Sequence, residues 1–138
     1  MTDCIFCKII NKEIPTEFIY EDNNAVAFLD ISPKSKGHSL VVPKKHSTNF
    51  LSIEDKDLQQ VILTVKKVAN ILKNALNAEG INILQNNESA AGQVVFHTHF
   101  HVVPRFKDDG VRVLPGNHVP LKENEGKELI QRIKSLLK

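Results

Sequence analysis

Leu58, Val61, Ile62, Val65, Val68, Ala69, Leu72 and Leu76 recur at spacings of three and four. At 3.6 residues per turn this lays one apolar stripe along a long helix, and such a stripe needs a broad apolar surface to cover it. Ser52 is expected to cap the helix start, with Glu54 and Asp55 in the first turn where the helix dipole favours acid, and Gly80 to stop it. The covering surface has to come from flanking segments that read as strands. Residues 17–22 and 25–30 form two of these, joined by Asn23-Asn24, which is hairpin-turn chemistry. After a loop marked by Pro33 and Gly37, residues 39–42 read as a short buried strand stopped by Pro43. Beyond the helix, residues 81–85 and 94–103 supply two more strands, separated by a loop over 86–92 and ended by Pro104. Residues 124–137 alternate charge with Leu129, Ile130, Ile133, Leu136 and Leu137, a surface helix expected to pack one face. One long helix among strands implies an α+β fold with an antiparallel sheet of about five strands and a C-terminal helix. The 138 residues hold no repeat, low-complexity tract or dividing linker, so a single domain over 1–138 is expected.

The charges nearly cancel, with 18 Lys+Arg against 16 Asp+Glu. A strong electrostatic grip on nucleic acid is therefore not the main function. No apolar run approaches the roughly 18–20 residues of a membrane span. The start, Met1-Thr2-Asp3-Cys4, lacks the layout of a signal peptide, so a cytoplasmic location is the expectation. Lys34, Lys36, Lys44 and Lys45 cluster in sequence and are read as a solvated face in preference to a patch that attracts an anionic substrate.

Three of the six histidines fall in His97-Thr98-His99-Phe100-His101-Val102-Val103. Side chains alternate along a strand, so these three imidazoles share one face, while Thr98, Phe100 and Val102 face the helix. Apolar residues would stabilise a buried face better, so packing alone does not account for three histidines there. One imidazole can attack the phosphorus of a phosphate ester while its neighbour hydrogen-bonds a phosphoryl oxygen. A bare metal-binding face is the competing reading. Cys4 and Cys7, the only cysteines, form a Cys-x-x-Cys pair, which in a reducing compartment is a metal half-site, a redox pair or a free dithiol. His38 is either a partner orienting a triad imidazole or a loop histidine, and His118 is read as solvated. No glycine-rich phosphate loop is present.

The stretch 97–103 resembles the histidine-triad signature, three histidines spaced by apolar residues and followed by two more. Residues 4–10, 27–33, 37–46 and 91–93 are similar, in order, to the nucleotide-binding Hint branch of that family. The likeness runs from about Cys4 to Arg105, leaving 106–138 as a tail. It implies a nucleotidyl hydrolase or transferase that cleaves purine nucleoside phosphoramidates to the monophosphate through a covalent nucleotidyl-histidine. By motif position His99 is the nucleophile and His101 contacts the phosphate, with Asn86 and Gln93 as neutral donors. Such donors are worth about 3–4 kcal/mol each where transition-state charge develops. Asp30 matches a ribose-binding position, and Ile5, Phe6, Ile9, Phe28 and Ile31 match an apolar slot for the base. The resemblance adds His46 and His97 to Cys4 and Cys7 as the four ligands of a structural zinc, with no organic cofactor. It also implies a homodimer in which two sheets join. Val94 departs from the pattern, since close relatives usually carry Ser or Thr there, near the leaving group. Thr98 replaces an apolar spacer on the opposite face, with little consequence expected. Two other readings stand beside this one: a dinucleoside polyphosphate hydrolase of the same superfamily, and a zinc-stabilised nucleotide-binding module with negligible turnover.

Overall fold

A computed structural model describes residues 3–113 and 119–137. His118 lies outside the described residues. The elements in order are α1 (Ile5–Ile10), β1 (Phe18–Glu21), β2 (Ala25–Leu29), β3 (Ser39–Pro43), α2 (Asp55–Leu76), β4 (Gly80–Leu84), β5 (Phe100–Arg105) and α3 (Glu123–Ser135). The five strands form one antiparallel sheet in the order β1-β2-β3-β5-β4, so the fold is α+β as expected. Among the described residues no helix is long and apolar enough to cross a membrane.

The sheet is covered on both faces. Val61, Val65, Val68 and Leu72 of α2 pack on Ala25, Ala27, Val41, Phe100 and Val102. On the other face, Phe6 and Ile9 of α1 pack with Val26, Phe28, Leu40 and Val42. This explains why β2 and β3 read as unbroken apolar runs rather than alternating ones. Each aliphatic side chain fully buried in this way contributes about 1.5–3 kcal/mol.

Several boundaries differ from the sequence expectation. α2 starts at Asp55 with Glu54 at its N-cap, whereas the Ser52 hydroxyl donates to the Asn49 carbonyl (3.3 Å) and closes the preceding turn. The helix stops at Asn77, which takes the left-handed conformation (φ 53°), and Gly80 begins β4. Asn tolerates that conformation because its short amide hydrogen-bonds locally. Ile62, placed in the apolar stripe, is 43% exposed at its edge. The last strand begins at Phe100, not at 94. Ahead of it the Thr98 N–H is committed to the Ser47 carbonyl (2.8 Å), and the Val95 carbonyl to the Gln93 side chain (3.1 Å), so that backbone leaves the ladder. α3 forms, but no residue of it is buried, so the expected packing of its apolar face is absent from this chain's described contacts. Helix α1 was not foreseen at all. Its start is closed by the Cys7 N–H donating to Cys4 Sγ (3.3 Å), an N-cap built from sulfur.

Gly37 holds the loop that delivers His38. Its φ is +84°, and a Cβ there would overlap Leu76 Cδ1 and sit 3.3 Å from Pro104 Cγ. Gly37→Ala is expected to cost about 1–2 kcal/mol from the left-handed backbone alone. Thermal denaturation should register this as a fall in Tm of roughly 5 °C or more.

Candidate active site and metal centre

A cavity of about 560 Å³ opens between α1, the β2–β3 loop and the segment leading into β5. Ile5, Phe6 and Ile9 line it from α1, Phe28 from β2 and Ile31 from the loop, so all five residues assigned to the base slot meet there. Phe6, Ile9 and Phe28 are buried, with the Phe6 and Phe28 rings edge to face at 5.8 Å. Ile5 and Ile31 stand at the mouth, 46% and 99% exposed.

The polar end holds His99 and His101, ring centres 5.2 Å apart. Hydrogen bonds fix which nitrogen of each ring carries the proton. His99 Nδ1 lies 2.7 Å from the His97 carbonyl, which only accepts, so Nδ1 is protonated and Nε2 is left as a lone pair. The Lys34 N–H donates to His38 Nδ1 (2.9 Å), so the His38 proton is on Nε2 and is donated to His101 Nδ1 (2.9 Å). His101 Nε2 is then an N–H donor. The pocket thus presents one nucleophilic nitrogen beside one hydrogen-bond donor. Burial holds His99 below the ordinary histidine value and His101 down at about 4, keeping both neutral at neutral pH. His38 is therefore the orienting partner, not a loop histidine.

Asp30 completes this end. Its Oδ1 accepts from the Ser32 N–H (2.8 Å) and its Oδ2 lies 3.5 Å from His38 Nε2. Asn86 lines the cavity, and a Cβ at Gly92 would sit 3.5 Å from its Nδ2, so the glycine leaves that amide uncovered. Val94 also lines the cavity, 84% exposed. Gln93 is a correction. It is 4% exposed and does not line the cavity. Its Nε2 donates to the carbonyls of Thr48 (2.8 Å) and Val95 (3.1 Å), and its Oε1 accepts from the Glu88 N–H (2.8 Å) and Asn49 Nδ2 (3.2 Å). With both donors and both lone pairs engaged, Gln93 ties the 86–92 loop to the 46–48 segment and offers nothing to a phosphate. Lys34 was missed, because it was read with its neighbours as one solvated face. Lys44 pairs with Glu21 and Lys45 with Glu54, while Lys34 lines the cavity.

His97 turns away from the cavity and is fully buried. Its Nε2–H donates to the Pro43 carbonyl (2.8 Å), leaving Nδ1 as a lone pair aimed at Cys4 Sγ (3.3 Å), Cys7 Sγ (3.6 Å) and His46 Nδ1 (3.1 Å). Cys7 Sγ is 3.4 Å from His46 Nδ1. A zinc tetrahedron with usual bond lengths has S···N edges of about 3.6 Å and N···N edges of about 3.3 Å, so the spacing and the donor set both fit such an ion. The Pro43 carbonyl fixes the ligating tautomer from outside. Burial, then Cys4, pushes the Cys7 thiol up to about 11, so at neutral pH ion uptake must displace its proton. Asp30, His38 and His101 also cluster, but Lys34 N–H occupies His38 Nδ1 and the Nε2 carries the proton, so that group does not fit a cation.

The two oriented rings give a pH expectation. Burial lowers His38 and His101, the Asp30 charge opposes it, and Lys34 adds to it. Their folded-state values lie below the unfolded 6.5, so the unfolded chain binds more protons under acid. The His101 contribution is complete above about 6.5 and is lost as pH falls toward about 4, and His38 acts in the same direction. Thermal melts across this window should show Tm falling with acid, with a shallower slope for His101→Asn.

The HIT domain family matches residues 11–108. An uncharacterized HIT-like protein of Borreliella burgdorferi is 50% identical over 135 residues, covering 96% of this chain and 97% of that one. An adenosine 5'-monophosphoramidase of Schizosaccharomyces pombe is 38% identical over 135 residues, covering 98% of each chain. A crystal structure from Streptococcus mutans superposes with a TM-score of 0.91 at 40% identity, covering 100% of this chain and 87% of that one.

Proposed function

The chain belongs to the HIT domain family, and from that premise we propose that it cleaves purine nucleoside phosphoramidates to the nucleoside monophosphate and an amine. The observation that carries this reading is the His99–His101 pair, one ring fixed as lone pair and the other as donor, at the end of an apolar slot. The base lies between Phe6, Ile9 and Phe28 under Ile5 and Ile31, and Asp30 accepts from the ribose hydroxyls. His99 Nε2 attacks the α-phosphorus. A P–N bond to His99 forms as the P–N bond to the amine breaks, the amine nitrogen leaving with a proton taken from solvent, while His101 Nε2–H and the Asn86 amide hold the phosphoryl oxygens. Water then releases the monophosphate and regenerates His99. The phosphoramidase relative supports the substrate class. Lys34 is the one cation lining the cavity among the described residues, which favours a single phosphate over a polyphosphate chain.

Zinc held by Cys4, Cys7, His46 and His97 supplies a structural cross-link. It would join α1 and the loop after β3 to the segment that leads into β5 and carries His99 and then His101. The unpaired thiols suit a reducing, cytoplasmic setting.

Intact-protein mass spectrometry after mixing with adenosine phosphoramidate and an alkaline quench tests the chemistry. The expected result is a gain of one adenylyl group, absent in His99→Ala. Neither an adduct nor AMP release would leave a nucleotide-binding module instead. The reading includes a homodimer, supported by the open edge of β4 and by Leu63, Ile71 and Ile83, which are 67%, 42% and 48% exposed. Light scattering should return twice the 15.5 kDa chain mass, and a monomer mass would remove this part.

A further inference from the structure

Helix α1 is the inner wall of the nucleotide cavity, and its attachment is unusual. The backbone hydrogen bonds of residues 4–14 outside helix α1's own ladder run within that segment, from Lys8 N–H to the Cys4 carbonyl through Ile14 N–H to the Lys8 carbonyl. Among the described residues none reaches the sheet. What docks the helix is the packing of Phe6 and Ile9, and the placement of Cys4 and Cys7 against His46 and His97. The same six-residue helix carries Ile5, Phe6 and Ile9 into the cavity, with the Phe6 ring 5.1 Å from His99.

The two thiols are also placed to react with each other. The four sulfur and nitrogen atoms lie within 4.8 Å of one another, and the Lys8 N–H to Cys4 carbonyl bond (3.1 Å) closes a helical turn between the cysteines. Positions three apart in such a turn have Cα atoms about 5 Å apart, inside the roughly 4.4–6.8 Å that a disulfide spans. Cys4 is part-exposed and Cys7 buried behind it, so an oxidant reaches Cys4 first.

We propose that Cys4 and Cys7 are an oxidation site that latches α1 onto the cavity: reduced and metal-bound, they hold the wall closed, and oxidised to a disulfide they release it. The oxidant is hydrogen peroxide. The Cys4 sulfur attacks one peroxide oxygen, the O–O bond breaks, and Cys4 becomes a sulfenic acid with one water formed. The Cys7 sulfur then attacks the Cys4 sulfur, forming the S–S bond and expelling the second water. The two sulfurs together lose two electrons, which reduce the peroxide. The metal keeps only His46 and His97 and dissociates. The effect on nucleotide affinity rests on the functional reading above, whereas the disulfide and the release of α1 do not.

The test treats the full-length, zinc-loaded protein with stoichiometric hydrogen peroxide. The expected result is the loss of two hydrogens by intact mass, one zinc released to a chromogenic chelator, and faster amide hydrogen exchange in residues 5–11 with α2 unchanged. Thiol reductant and zinc together should reverse all three. AMP binding by calorimetry should weaken roughly tenfold, as for a wall closed about one-tenth of the time. Reduced protein stripped of zinc by a chelator gives the same α1 exchange readout without depending on any variant. Oxygen addition to cysteine in place of hydrogen loss would overturn the proposal, as would a disulfide that leaves α1 exchange unchanged. Absence of AMP binding in the reduced, zinc-loaded protein would overturn the nucleotide reading, with the exchange data still deciding the latch.

Discussion

Replacing His99 by alanine should lower kcat for adenosine phosphoramidate by about 10⁴-fold or more, while AMP affinity changes less than about threefold. The asymmetry follows from where the ring acts. In the proposed reaction His99 Nε2 forms the bond to phosphorus, and without it the two-step route is closed. The base slot, Asp30 and the His101 donor remain in place for ground-state binding. His99→Gln keeps more of the volume beside Phe6, whose ring lies 5.1 Å from His99, and should be equally inactive, which separates lost chemistry from lost packing. His101→Ala removes a donor rather than the nucleophile and is expected to cost only about 10²–10³-fold. Residual turnover of His99→Ala within tenfold of wild type would take the nucleophile's role away from this ring.

The second large effect falls on stability. Cys7→Ser should leave purified protein with almost no zinc and lower Tm by roughly 10 °C or more. The serine hydroxyl is nearly isosteric but is not deprotonated to serve as a fourth ligand. His97 and His46, with Nδ1 atoms 3.1 Å apart, are then joined at most by one N–H···N hydrogen bond in place of the ion that ties all four side chains together. Elemental analysis alongside a melt in excess chelator checks the origin of the change. Wild type in chelator should melt where the variant does. A variant that retains one equivalent of zinc would reject the four-ligand site.

The period of α2 made that helix legible, because every buried residue of its stripe is set by local geometry. Period two in place of 3.6 brings His99 and His101 into one cavity as expected, but it put His97 on the same face, and His97, ahead of the strand, turns away from the cavity. The tautomers were not legible. They depend on the Lys34 N–H and the His97 carbonyl, backbone groups whose placement no side-chain pattern reports. Gln93 shows the opposite failure, since an amide beside a phosphate site reads as a donor until its partners from Thr48, Glu88 and Asn49 are known. The metal quartet came from resemblance, not spacing, because Cys4 and His97 are 93 residues apart and a Cys-x-x-Cys pair does not name its other ligands. α1 was overlooked because six residues are too few for a helical period to stand out, although Ile5, Phe6 and Ile9 fall on one side of it.

β3 lies between β2 and β5, and the rings of His38, just ahead of β3, and His101, on β5, meet although they are 63 positions apart in the chain. A ribosome that has made β1, β2, β3 and α2 has therefore exposed a strand whose Val41 and Val42 end up wholly buried, with one edge still waiting for residues 100–102. Until that late segment emerges, the growing chain carries an unpaired, apolar edge of the kind that recruits other strands. The contacts that bring the cavity's two rings together are also long-range ones, so the cavity is completed and the open edge of β3 is covered in the same closing step of folding.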